Sequence, residues 1–181
     1  MNYLVIPEGL FLDTRNNTTL PSFVFKEVLN KANEMAKTGD IIYICPANFF
    51  GGNFSEQYIG AEYLKNKNCK AEIIFFELNK KNYIDTFGNA HYLKLYLIDK
   101  DLWPLPSCNL IVNKIHSCRS KIIFHRLNYL FTEIHEVDIK GKKGKIVKRL
   151  FYYNFPKIHA IYEFLSIVKF FIDFYLLKKF R

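Results

Sequence analysis

The stretch VNKIHSCRS sets His116 and Arg119 three residues apart, directly after an apolar run. Three-residue spacing puts two side chains on one face of a helix. A cation at a helix opening opposes the helix dipole by a few tenths to about 1 kcal/mol, and a bound anion would offset that cost. Arg119 is therefore a candidate anchor for a negatively charged ligand, and His116 a proton donor or acceptor beside it. Two carboxylates could complete such chemistry as base or hydroxyl ligand. They are Glu56, which follows Ser55 in GGNFSEQ, and Glu77, which follows the apolar run EIIFF. Gly51 and Gly52 permit close backbone approach, and Ser55 reads as the N-cap of a helix beginning at Glu56. Thr86 and Asn89, again three apart, share the first turns of another helix and could orient a ligand by hydrogen bonds. Taken one at a time, Ser55, Thr86 and Asn89 read as ordinary capping residues.

The elements that must bring these groups together follow from the hydrophobic pattern. Short apolar runs occur at YLVI (3–6), IIYIC (41–45), EIIFF (72–76) and CNLIV (108–112), and less strongly at EIHEVDI (133–139). Runs of this length without alternation suit strands covered on both faces. Between them lie segments of helical period. In SFVFKEVLNKANEMAKTG, residues Phe25, Val28, Leu29, Ala32, Met35 and Ala36 form one stripe, and Gly39 offers a stop. Residues 55–65, 84–98 and 117–130 repeat the pattern. The alternation implies right-handed crossovers and a mainly parallel sheet in an α/β, Rossmann-like three-layer sandwich. In the fifth run Ile134, Val137 and Ile139 partly alternate with charged neighbours, as an edge strand would. In such sheets ligands bind outside the carboxyl ends of the strands, where every candidate residue falls.

With its 181 residues the chain fits one domain, read as residues 1–139 with a C-terminal appendage, 140–181, that is not an independent domain. Its net charge of +9 is uneven: residues 1–100 hold 11 Lys and Arg against 11 Asp and Glu, and residues 101–181 hold 15 against 6. The excess suggests an anionic partner for the C-terminal part. The segment KGKKGKIVKR carries six basic residues and no acid. The aromatic segment after Asn154 and Pro156 has a narrow polar stripe of His159, Glu163, Ser166 and Asp173. Glu163, Lys169 and Asp173 interrupt it too often for a transmembrane helix. Two arrangements compete: the helix packs on the sheet with its polar residues outside, or its aromatic face lies in an anionic membrane surface beside the basic run. Nucleic acid ranks third, because no recognition motif accompanies the basic patch. Cys45, Cys69, Cys108 and Cys118 show neither a C-x-x-C pair nor metal-ligand spacing, so no metal or redox site is expected. The opening residues MNYLVIPEGL lack the pattern of a signal peptide, which points to a cytoplasmic location, with peripheral attachment at the inner membrane face through 140–181.

Taken in order, these turns resemble the YdcF-like family of bacterial α/β domains, which includes the SanA and ElyC proteins. The family pattern is a Gly-rich turn after strand one, a Ser-Glu-Ala type helix start, a T-x-x-N helix start, and a strand running into T-s-x-x-H-x-x-R. The matching residues are Ser55 and Glu56, then Glu77 ahead of Thr86 and Asn89, then His116 and Arg119, in order from about Tyr3 to Ile139. Two positions depart from it: the first turn is PEGL with Gly9 alone, and Val-Asn-Lys replaces Val-Thr-Ser. The first departure argues against a phosphate cradle at that turn. The resemblance implies a Rossmann-like fold and a role in cell-envelope or surface-polysaccharide metabolism. The implied ligand is an anionic small molecule, such as a nucleotide, S-adenosylmethionine or a phosphorylated sugar or lipid intermediate. The family's biochemical activity is poorly defined, its clustered charged residues suggest an enzyme, and the candidate class is a transferase or hydrolase acting on a phosphorylated or nucleotide-linked substrate. The competing reading is a non-catalytic scaffold that works at a membrane surface through its basic aromatic C-terminus.

Overall fold

The computed structural model describes residues 1–48, 54–78, 84–139, 141–146 and 148–176, with backbone only at 149 and 176. Five strands form one parallel sheet: β1 (Asn2–Val5), β4 (Ile41–Ile44), β5 (Glu72–Ile74), β6 (Cys108–Asn113) and β7 (Phe131–Val137), in the order β5-β4-β1-β6-β7. The central strand β1 pairs Val5 with Ile44 on one side and with Ile111 on the other. β2 (Leu10–Asp13) and β3 (Thr18–Pro21) form a separate antiparallel hairpin. That hairpin is not among the expected strands: each of its strands has only four residues, and Arg15, Asn16 and Asn17 interrupt the apolar pattern.

Both sheet faces are covered. Tyr3, Val5, Ile42, Ile44 and Ile111 pack against α1 (Phe23–Met35) and α2 (Glu56–Asn66), through Phe25, Val28, Leu29, Ala61 and Leu64. The alternate residues Leu4, Ile6, Tyr43, Leu110 and Val112 pack against α3 (Thr86–Asp99) and α4 (Lys114–Arg126), through Phe87, Leu93, Ile123 and Phe124. Each fully buried Leu, Ile or Phe contributes roughly 1.5–3 kcal/mol by leaving water, so this double cover supplies the stability that holds the strand ends in register.

The expected helices form with shifted ends. α1 is capped by Ser22, which accepts from the Phe25 amide at 3.1 Å, and it ends at Met35, four residues before Gly39. α4 begins at Lys114 rather than Ser117, because Asn113, the last residue of β6, caps it through the Ile115 amide at 3.1 Å. His116 and Arg119 therefore lie in its first two turns, both buried.

The C-terminal part folds as a 3-10 segment (Lys148–Asn154), then α5 (Pro156–Phe171) and a π-helical turn (Ile172–Leu176). α5 overturns the expectation that polar residues would face outward: His159, Glu163 and Asp173 are buried, while Ile161, Phe164 and Leu165 are exposed. The inversion follows from Arg119, whose buried guanidinium meets Glu163. Among the described residues no helix is long and apolar enough to cross a membrane.

Candidate functional site

The chain passes from β1 outward through β4 to β5 and then returns to β6 and β7, so connections leave β1 and β6 in opposite directions. A crevice opens at such a switch point. Here it is a small, partly open cleft with about 40 Å³ of free space, lined by Glu8 and Gly9 after β1, Asn48 after β4, the start of α3, His116 and Arg119 of α4, and Leu150, Tyr152 and Tyr153.

His116 is the hub. Its Nδ1 lies 3.0 Å from Glu8 Oε1, and its Nε2 lies 2.9 Å from both Thr86 Oγ1 and Arg119 Nη2. A guanidinium carries donors only. The Arg119 contact is a hydrogen bond only while Nε2 keeps its lone pair, which puts the imidazole proton on Nδ1, donated to Glu8. The second oxygen of Glu8, Oε2, accepts from the Tyr153 hydroxyl. Burial, followed by the charge of Glu8, pushes that phenol well above its ordinary value, so it stays a donor.

The first turn is built to hold Glu8 in place. The Ser22 hydroxyl donates to the Glu8 carbonyl at 2.7 Å, and the Ser22 amide donates to the Gly9 carbonyl at 2.9 Å. Gly9 adopts φ +88°, and a Cβ there would come within 2.5 Å of Leu150 Cδ1, so only glycine fits without strain.

Glu56 opens α2 on the opposite wall and is almost wholly buried. Desolvation raises its carboxyl to about 8, with the nearby charge of Glu8 adding to the effect and backbone donors of Asn48 and Gly9 opposing it. At neutral pH it is a protonated acid. Asn48 pins the loop after β4 to the start of α3, donating to the Ile84 carbonyl at 2.9 Å and accepting from the Ile84 amide at 2.7 Å. Asn89 donates to the Pro46 carbonyl, and Asp85 caps α3 through the Gly88 amide at 3.0 Å.

Helix α5 closes the remaining side. Glu163 Oε2 lies 2.9 Å from Arg119 Nε, and His159 Nε2 lies 3.4 Å from Glu163 Oε1. The Arg119 guanidinium also stacks over Tyr162 at 5.7 Å. Desolvation favours the neutral Glu163 carboxyl, but the surrounding basic cluster of His116, His159 and Arg119 outweighs it and holds the group below the usual carboxylate range.

Of the residues singled out by sequence, Glu56, Thr86, Asn89, His116 and Arg119 line this one cleft. Ser55 is buried behind the wall as the predicted cap, accepting from the Tyr58 amide at 3.3 Å. Glu77 stands exposed outside the lining, receiving the Ser55 hydroxyl at 3.4 Å. Gly51 and Gly52 lie outside the described residues. Sequence reasoning missed Glu8, Tyr153 and Asn48. Glu8 and Asn48 sit in turns that the carboxyl-edge rule already marks, whereas nothing local distinguishes Tyr153 from ten other aromatics in its segment. Among the described residues no cluster of His, Cys, Asp and Glu is arranged to hold a metal ion.

Comparison of the chain with protein-family models, with curated proteins and with solved structures finds no match.

Proposed function

We propose that the cleft binds the anionic group of a small phosphorylated or nucleotide-type molecule and carries out transfer or hydrolysis on it. The observation that carries this reading is the convergence on one imidazole, within 3.0 Å, of a buried carboxylate, a hydroxyl and a guanidinium. An incoming anion takes Arg119 in place of Glu163, which meets the guanidinium without an aligned hydrogen bond. That shift leaves His116 Nε2 with the Thr86 hydroxyl alone, through which it accepts a proton from a bound hydroxyl or water. Glu8 holds the opposite ring nitrogen and stabilises the imidazolium as it forms, the part a carboxylate plays in a catalytic triad. Protonated Glu56 supplies a proton to the leaving group. The resemblance of the ordered turns to YdcF-like domains supports a ligand among nucleotides, S-adenosylmethionine and the phosphorylated sugar or lipid intermediates of the bacterial envelope. A cytoplasmic location belongs to the same reading.

The test is mass spectrometry of small molecules that co-purify with the chain, followed by calorimetric titration of the hit. Arg119→Ala alone would strand a buried Glu163 charge, so the comparison uses Arg119→Ala/Glu163→Gln against Glu163→Gln. Losing a charge-assisted hydrogen bond should weaken affinity by roughly 1.5–3 kcal/mol. Equal affinity in a folded double variant would remove Arg119 as the anchor and the reading with it.

A further inference from the structure

Helix α5 presents the face that soluble helices hide. Its polar stripe is turned inward, with His159 at 0% and Glu163 at 5% exposure, while Ile161, Phe164 and Leu165 are 61%, 65% and 59% exposed. Ile158, Val168 and Ile172 extend this apolar face along the helix, and Phe155 continues it at the N-terminal end. The helix itself puts no acid on it: Glu163 and Asp173, the only acids of the segment 156–176, are both buried, and Asp138, which borders Phe155 and Ile158, stands 3.6 Å from the Lys114 ammonium. Cations rim both ends. The Lys143 ammonium stands 6.0 Å from the Phe155 ring, Lys157 is exposed on the first turn, and the Arg126 guanidinium sits 5.4 Å from the Tyr175 ring.

The geometry points to an anionic phospholipid surface as the occupant of this face. Interfacial helices lay an apolar face among the acyl chains and keep basic groups at headgroup level. In this chain the α/β body takes the place of water on the other side, since the polar stripe is already bound to Arg119 and the cleft. Charge decides against a second copy. Pairing two such faces would bring Lys143, Lys157 and Arg126 of one chain against cations of the other, and the acid at the edge of the face, Asp138, is already paired with Lys114, whereas anionic headgroups meet both the rim and the apolar strip. This inference does not depend on what the cleft binds.

Vesicle flotation of the full chain tests it, with phosphatidylcholine alone against vesicles holding about 30 mol% phosphatidylglycerol. The expected result is recruitment by the anionic vesicles only, and its loss in about 0.5 M NaCl. Ile161→Asn/Phe164→Gln/Leu165→Gln, all at exposed positions, should lower partitioning at least roughly tenfold with an unchanged unfolding transition. Lys143→Glu/Lys157→Glu, which leaves the apolar strip intact, should abolish the preference for anionic vesicles. Three results would overturn the proposal: equal recruitment by both vesicle types, a triple variant that floats like the parent, or a dimer that the triple variant dissociates while vesicles recruit nothing.

Discussion

Replacing Glu56 by Gln tests the electrostatics of the cleft in a single residue. A buried carboxyl raised from 4.5 to about 8 binds its proton more tightly in the folded chain than in the unfolded one. Between those two values the folded state holds more protons, so stability falls as pH rises and levels off above about 8. The contribution is fully present below about pH 4.5 and lost through pH 8, the reverse of an ordinary paired carboxylate. At 1.36 kcal/mol for each tenfold change in proton affinity, the displacement amounts to about 5 kcal/mol. That is comparable to the whole stability of a small domain. Gln keeps the shape and most hydrogen bonding of the neutral acid and does not ionise. Urea unfolding of parent and Glu56→Gln at a series of pH values from 5 to 9 isolates the effect, because the other titrating groups largely cancel in the difference. The parent should lose several kcal/mol relative to the variant, chiefly between pH 5 and 8. Two stability curves that run parallel across that interval would refute the buried, protonated Glu56 and, with it, its assignment as an acid at neutral pH.

Two further substitutions probe how Glu8 is held. Gly9→Ala meets both a left-handed backbone and the Leu150 methyl, so it should destabilise the chain by about 1–3 kcal/mol, read from the denaturant midpoint. A neutral result would mean that the first turn relaxes freely and does not fix Glu8. Tyr153→Phe removes the donor to Glu8 Oε2 and leaves a buried carboxylate oxygen short of a partner. It should cost about 1–3 kcal/mol at neutral pH, and unchanged stability there would remove Tyr153 as a holder of the Glu8 charge.

The parallel sheet was legible because β1, β4 and β6 are buried on both faces and therefore read as unbroken apolar runs. The start of α4 was not, because Asn113 is both the last residue of β6 and the cap of the helix, and a run-based reading assigns a residue to one element only. Thr86, Asn89, His116 and Arg119 could be found from their three-residue spacing, which survives any error in the helix boundary. Glu8 and Tyr153 depend on contacts across 108 and 145 residues of chain, and no local pattern encodes a partner at that distance.

The orientation of α5 shows what amphipathic pattern alone leaves open. A stripe of polar residues says that two faces differ, and the usual inference buries the apolar one. That inference assumes apolar surface is still available to cover. Here α1 and α2 already occupy one face of the sheet and α3 and α4 the other, so the fifth helix lies outside this cover, against α4, where only Phe170 of its apolar side chains is buried, beside Phe87. There the term that decides is charge. A buried guanidinium without a counter-charge costs several kcal/mol, and Glu163 is the carboxylate that meets it. Once Glu163 is committed to Arg119, its neighbours one turn away, His159 and Ser166, must also turn toward the body, and Ile161, Phe164 and Leu165 on the opposite face are left outside, while Phe170 further along stays buried. The exposed apolar face of α5 is thus the geometric consequence of meeting the buried Arg119 with a carboxylate.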